Sequence, residues 1–292
     1  METQQIINQI LFANQAEDVF SISSFKKEYA RLIKLLHPDV CHLPRAGEAV
    51  AMMNQFRDEM YKYWHGEDDA GKFVRNEEDE VTFQGDPDLL YRSYENYQRL
   101  MSINDDTANH FKKYLPKSMN FSGRELIVNS EHPMLPLTHL IFPHQHTNWI
   151  LSRIFEFITW LHQIGYCHLG INPESIFIVP QTHGIICTSF YHLTRLNTKP
   201  ESLSGRYLNW YPAIVFDQKK AIQYVDMSLA QRTALYMLGD KSGNGVVLKK
   251  NINPQLIDFL ITPHYDSYQT YQEFRQLLLQ LFGKPQFHPL NI

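Results

Sequence analysis

A basic amphipathic segment that runs straight into a proline constrains this chain more than any other stretch. Phe25, Tyr29, Leu32, Ile33 and Leu36 recur at intervals of three and four, which draws one apolar stripe along a helix. Lys26, Lys27, Arg31 and Lys34 lie largely off that stripe, on the side left to solvent. A serine-rich cluster at 21–24 precedes it, and Ser24 is the expected N-cap. His37-Pro38-Asp39 follows at once. Proline cannot continue the helix, and Asp39 sets a carboxylate at the turn. Helical patterns flank the segment. On one side are Ile6, Ile7, Ile10, Leu11, Ala13, Ala16, Val19 and Phe20. On the other, a helix over about 46–63 buries Ala49, Met52, Met53, Phe56, Met60 and Tyr63. The loop 39–45 is short, so the helices it joins should form an antiparallel hairpin.

The chain has 292 residues and is 43% hydrophobic, which suffices for one large or two ordinary domains. No apolar run reaches the roughly 18 residues of a membrane span. Around Glu2, Gln4 and Gln5 there is no basic segment of the kind that opens a secretory signal. Cys41, Cys167 and Cys187 are odd in number and show no paired spacing, which fits a reducing compartment; a cytoplasmic location is expected. A net charge of −4 argues against broad nucleic-acid binding, and no membrane partner is expected. The strongly acidic stretch 65–80 contains Gly66 and Gly71 and reads as a connector, with the linker itself at 67–80. Such a linker could lie on the basic helix and mask it.

Beyond it, residues 81–84 alternate like a short strand. Asp86-Pro87-Asp88 opens a helix through Leu89, Leu90, Tyr94, Tyr97, Leu100 and Met101. Residues 111–115 and 125–128 read as strands, and 148–164 as a long helix with Ile150, Leu151, Ile154, Phe155, Ile158 and Leu161 on its face. His144-Gln145-His146, Cys41-His42 and Cys167-His168 do not build a zinc site with a second ligand pair, so no metal is expected. His162, His168 and Asp226 imitate an acid/base set without a nucleophile at a usable position. Lys112, Lys113 and Lys117, near Tyr114, form a modest basic patch that reads as a solvated face.

Helix, basic helix, His-Pro-Asp and antiparallel apolar helix together resemble the J-domain of DnaJ-class co-chaperones, over residues 1–66. That resemblance implies a DnaK-class chaperone as partner, docked and stimulated in its ATP hydrolysis by the basic helix and the loop. The implied contact residues are His37, Pro38, Asp39, Lys26, Lys27, Arg31 and Lys34. Cations on one helix face would steer association with an acidic partner. There is no Gly/Phe-rich segment, so the chain is not a full DnaJ.

A second resemblance begins at Leu161-His162-Gln163-Ile164-Gly165, followed by His168-Leu169-Gly170-Ile171-Asn172-Pro173-Glu174-Ser175. This is similar to the protein-kinase catalytic-loop region. His168, Pro173 and Glu174 keep their types. Gly170 stands at the catalytic Asp and Ser175 at the metal-binding Asn. In 185–191, Ser189 stands at the metal-binding Asp and Tyr191 at the following Gly. Tyr211-Pro212-Ala213 is similar to the Ala-Pro-Glu region. Asp226 keeps the aspartate that braces the loop. Asn253-Pro254 and the apolar positions from Ile257 to Leu281 fit closing helices. No glycine-rich phosphate loop precedes Val81, residues 81–84 hold no lysine, and the helix glutamate falls at Ser93, with Glu95 the nearby carboxylate. Without base, metal ligands, phosphate loop and lysine, little of the electrostatic stabilisation of phosphoryl transfer would remain.

The expectation is therefore a multi-domain chain. An all-α J-domain hairpin at 1–66 and an acidic linker at 67–80 precede an α+β kinase-like fold, with a reduced N-lobe at 81–143 and a mainly helical C-lobe at 144–292. The expected function is that of a co-chaperone whose kinase-like part binds a client or scaffolds, with no enzyme activity and no cofactor. The alternatives are an atypical kinase or nucleotide-binding regulator, and a non-catalytic protein that competes for the chaperone.

Overall fold

The computed structural model describes residues 2–22 and 24–290; Ser23, within the expected capping cluster, lies outside them. The chain divides into two compact units, Met1–Gly66 and Glu67–Asn291.

The first unit is all helical. Helix α1 (Glu2–Phe12) is followed by a 3-10 turn (Ala16–Asp18), then α2 (Phe25–Leu36), α3 (Ala46–Met60) and a 3-10 turn (Tyr61–Tyr63). Both α1 and α2 pack against α3. Ile7, Ile10, Phe25, Leu32, Leu36, Met53, Phe56 and Met60 fill the space between them. Phe25, at the start of α2, meets Tyr61 edge-on at 6.3 Å. One turn later the Tyr29 hydroxyl donates to Asn54 Oδ1 at 2.6 Å. Forward travel along α2 is backward travel along α3, so the two are antiparallel. Ser24 holds the N-cap position without capping the backbone. Its hydroxyl donates to Glu28 Oε1 at 2.6 Å, and the other carboxylate oxygen accepts from Ser21 N–H at 2.8 Å. The third helix stops at Met60, and its last turn tightens into 3-10 geometry before Tyr63.

Strand β1 (His65–Glu67) crosses the junction of the units. The expected linker at 67–80 is instead regular structure. β2 (Gly71–Glu77) forms an antiparallel hairpin with β3 (Glu80–Gly85). The acidic composition hides the inward positions Phe73, Val81 and Phe83, which are buried. Gly71 faces Gly85 across the hairpin, and a Cβ on Gly85 would sit 1.8 Å from the Ala70 carbonyl oxygen. Only glycine permits that approach, which tightens the turn carrying Asp68 and Asp69.

Helix α4 (Pro87–Met101) is capped by Asp86, which accepts from Asp88 N–H and Leu89 N–H. Residues 111–115 are not a strand. They end α5 (Asp106–Phe111) and form a 3-10 turn (Lys112–Tyr114). The Asp105 carboxylate caps α5 at Ala108 N–H, a local bond that outweighs the strand propensity of the aromatic residues. β4 (Ser118–Phe121) and β5 (Glu125–Asn129) complete a sheet in which β2, β3, β5 and β4 lie side by side in that order. Helix α4 covers it.

The remainder is mostly helical. β6 (Leu135–Pro136) leads to α6 (His144–Gln163), which starts one turn earlier than its apolar pattern suggests. β7 (Tyr166–Cys167), β8 (Ile176–Val179), β9 (Gly184–Cys187) and β10 (Thr194–Arg195) are short. They build a β6–β8–β9 sheet and a β7–β10 pair. Helices α7 (Ile214–Gln218), α8 (Gln223–Met237), α9 (Pro254–Ile261) and α10 (Ser267–Phe282) close the unit. Helix α6 is buried on nearly every side because α8 and α10 pack on it. The unit is a mixed α+β fold with antiparallel sheets. No helix among the described residues is long and apolar enough to cross a membrane.

Candidate functional site

In the first unit, the segment 37–39 is open to solvent. His37 and Asp39 side chains are 50% and 86% exposed, and they approach each other at 3.5 Å. The His37 Nδ1 accepts from Asp39 N–H at 3.3 Å. Lys27, Arg31 and Lys34 are exposed along α2. Lys26 is turned partly inward, with its ammonium 4.2 Å from the centroid of the buried Trp64 ring. The structure thus displays the loop and, spread along α2, three exposed cations, while the fourth also packs against the unit's own core.

In the second unit, the segment 168–175 joins β7 to β8 and is almost wholly buried. Asp226, in the first turn of α8, organises it. Its two oxygens accept from His168 N–H and Leu169 N–H, each at 2.7 Å, and His162 Nε2 lies 3.0 Å away. These bonds hold Leu169 at φ 57°, a left-handed conformation in which a non-glycine side chain is strained. The Tyr211 hydroxyl donates to the Leu169 carbonyl and so brings the 211–213 segment onto the loop. His168 Nδ1 accepts from Gly170 N–H at 3.2 Å, and its Nε2 faces Ser189 O at 3.1 Å. That pair of bonds selects the neutral Nε2–H tautomer. Burial agrees, pushing the imidazole down to about 4. Asn172 Oδ1 accepts from Glu174 N–H and Ser175 N–H, so the polar atoms of the loop are used within it.

Gly170 has no room for a side chain. A Cβ there would lie 2.9 Å from His192 Cδ2. His192 in turn bonds Asp69 Oδ2 at 3.0 Å through Nε2 and Ser202 Oγ at 2.8 Å through Nδ1. The other Asp69 oxygen accepts from Ser204 Oγ at 2.9 Å. Burial works against the Asp69 charge, but the bonds from His192 and Ser204 outweigh it and hold the carboxyl below its usual range. Asp68 Oδ1 accepts from Ala70 N–H and Gly71 N–H, both at 3.0 Å, and Tyr191 donates to Oδ2 at 2.6 Å. Here burial wins and raises the Asp68 carboxyl to about 6. Glu174, also raised by burial, to about 7, is held by Arg206 through Nε and Nη2 and by the Tyr207 hydroxyl.

The acidic turn before β2 therefore fills the space in front of 168–175. The cavity left among Asp68, His168, Gly170, Ser189 and His192 measures about 10 Å³. That is room for about one water molecule. Ser175 and Ser189, the other two sequence candidates, line the same cavity. On α4, Ser93 points inward and accepts from Phe190 N–H at 2.8 Å, and Asn96 donates to Phe190 O at 2.9 Å; Glu95 is exposed. Two side chains of α4 thus grip the segment after β9.

His162, Cys167 and Asp226 bring ligand-type atoms within 4.8 Å of one another. The Asp226 oxygens, however, already accept the loop's N–H groups. Burial, followed by the Asp226 charge, pushes the Cys167 thiol far up, so it is neither a ready metal ligand nor a nucleophile. Sequence reasoning missed Asp68, Asp69, His192, Ser204 and Arg206. Their partners lie 123 or more residues away along the chain in the contacts of Asp68 and Asp69, and no local pattern announces such pairs.

No family model matches the chain. None of the curated proteins matches it. Among solved structures it is similar to vaccinia related kinase 3, with a TM-score of 0.49 and 14% identity, covering 74% of this chain and 82% of that one.

Proposed function

We propose that this chain is a J-domain co-chaperone whose second unit is a kinase-like fold used for binding rather than phosphoryl transfer. The observation that carries the reading is the exposed His37-Pro38-Asp39 segment. It sits at the C-terminal end of a basic helix, in an antiparallel pair within a compact unit. A motif with its polar groups in water is ready to meet a partner, and the exposed Lys27, Arg31 and Lys34 favour an acidic one. The partner class that this surface suits is a DnaK-class ATPase. The second unit would then aim the chaperone at a client or complex, in a cytoplasmic setting consistent with three free cysteines.

The filled position supports a reading without phosphoryl transfer. Gly170 supplies no base, His192 occupies the space beside it, and Asp68 and Asp69 line the small cavity left there. Two carboxylates at that point repel a polyanion.

Steady-state ATP turnover of a DnaK-class chaperone tests the reading. The wild-type chain is expected to accelerate turnover, and His37→Gln to remove at least tenfold of that acceleration. Inhibition of another J-domain protein without stimulation would favour the competitor reading. No effect of either kind would sink both. Millimolar ATP with Mg²⁺ is expected to leave the thermal midpoint unchanged, since a ligand bound to the native state would raise it.

A further inference from the structure

The basic patch at 112–117 is not a flat solvated face. It forms one wall of a cavity of about 570 Å³, within the roughly 300–1,000 Å³ range of small-molecule sites. The opposite walls come from the 130–132 segment, Arg153 on α6, and the start of β9. None of the residues around the small cavity at 168–175 lines it, so the two are separate places. Leu115, Val179 and Ile186 give it an apolar floor.

Its charge is unlike that of the chain as a whole, which is −4. Lys112, Lys113, Lys117 and Arg153 line it, against one lining carboxylate, Glu131. A second carboxylate, Glu156, lies beside it and pairs with Arg153 at 3.0 Å and Lys113 at 3.8 Å. Four cations thus face two carboxylates, and two positive charges stay unbalanced. Glu156 is itself fixed by the Tyr114 hydroxyl at 2.5 Å, so Arg153 is held in place. Lys112 and Lys117 form no ion pair among the described residues; Lys112 Nζ makes only a long contact to Asn109 Oδ1 at 3.4 Å. Like-charged side chains gathered around an apolar hollow repel one another, and an anion with an apolar body relieves that repulsion while covering the floor.

We propose that this cavity binds an amphipathic organic phosphate, an aromatic or otherwise apolar body carrying a dianionic group, with Lys112 and Lys117 taking the phosphate. The site is independent of the co-chaperone reading. Isothermal titration of the full chain with 1-naphthyl phosphate, 1-naphthol and inorganic phosphate tests it. 1-Naphthyl phosphate is expected to bind at least tenfold tighter than either of the other two. Lys112→Glu with Lys117→Glu should weaken it at least tenfold, and the milder Lys112→Gln with Lys117→Gln should weaken it several-fold, with 1-naphthol unchanged. Failure of 1-naphthyl phosphate to bind at millimolar concentration overturns the proposal. So does equal binding to wild type and variants, or an equal loss for naphthol, because the cavity would then not be reading charge.

Discussion

The loop at 37–39 and the loop at 168–175 are both short turns containing His and Pro, and they use their polar groups in opposite ways. His37 and Asp39 stand in water and bond chiefly to each other. His168, Asn172 and Glu174 are turned inward, and each is bonded to its own loop or to a neighbour. A group left in water keeps its charge at little cost and stays available to a partner. A group taken out of water must be bonded internally, and is then spent on structure. The difference separates a displayed surface from a sealed loop.

That comparison breaks or sharpens under substitution. The largest effect is expected for Asp226→Ala, which strips the buried acceptor from two backbone N–H groups and His162. We expect a loss of about 3–5 kcal/mol in urea unfolding. Hydrogen exchange should rise across 168–175 and stay unchanged in α2; a rise in both would show that the two loops are not independently supported.

Next comes Asp68→Asn, through its pH dependence. Asp68 is raised by burial from 3.8 to about 6, so its ionisation opposes folding. The penalty is absent below about pH 4 and full above pH 6, amounting to about 3 kcal/mol. Glu174, raised to about 7, acts in the same direction. His168, lowered to about 4, acts against both, because the unfolded imidazole takes up a proton as pH falls below 6.5. The variant isolates one group. Asp68→Asn should gain on wild type at pH 8 relative to pH 4, as measured by the difference in unfolding free energy. A pH-independent difference would mean that the carboxylate is not desolvated as its geometry requires.

The smallest stability effect is expected at the displayed loop. His37→Gln should change the unfolding free energy by less than about 0.5 kcal/mol, even if it removes the proposed stimulation of a chaperone. A large loss of stability would make the loop structural, and the contrast with 168–175 would disappear.

The helices were the legible part. Leu32 and Leu36 in α2, and Met53, Phe56 and Met60 in α3, are inward as their spacing requires, because a stripe at helical period has one dry side to go to. Strand β2 was not legible. Between its glycine and its final glutamate, Lys72, Arg75 and Asn76 surround Phe73 and Val74, so polar composition outvoted a two-residue alternation too short to stand out. The α5 turn carried a usable signal in Asp105, which strand-like aromatic residues obscured. At the candidate site, Gly170 and Ser175 stood out in the sequence through a resemblance to a catalytic-loop pattern, and both line the small cavity. The side chain that fills the space beside Gly170 did not stand out, since His192 and Asp69 meet across 123 residues.

By itself, the sequence determined where the long helices run, where Pro38 stops one of them, and which chemical groups stand at each loop. Those outcomes depend on neighbours a few residues apart. Only the tertiary structure decided which of those groups face water. Burial is a property of what packs from elsewhere in the chain: the acidic turn at 68–69 is a charged connector until Tyr191, His192 and Ser204 are set around it.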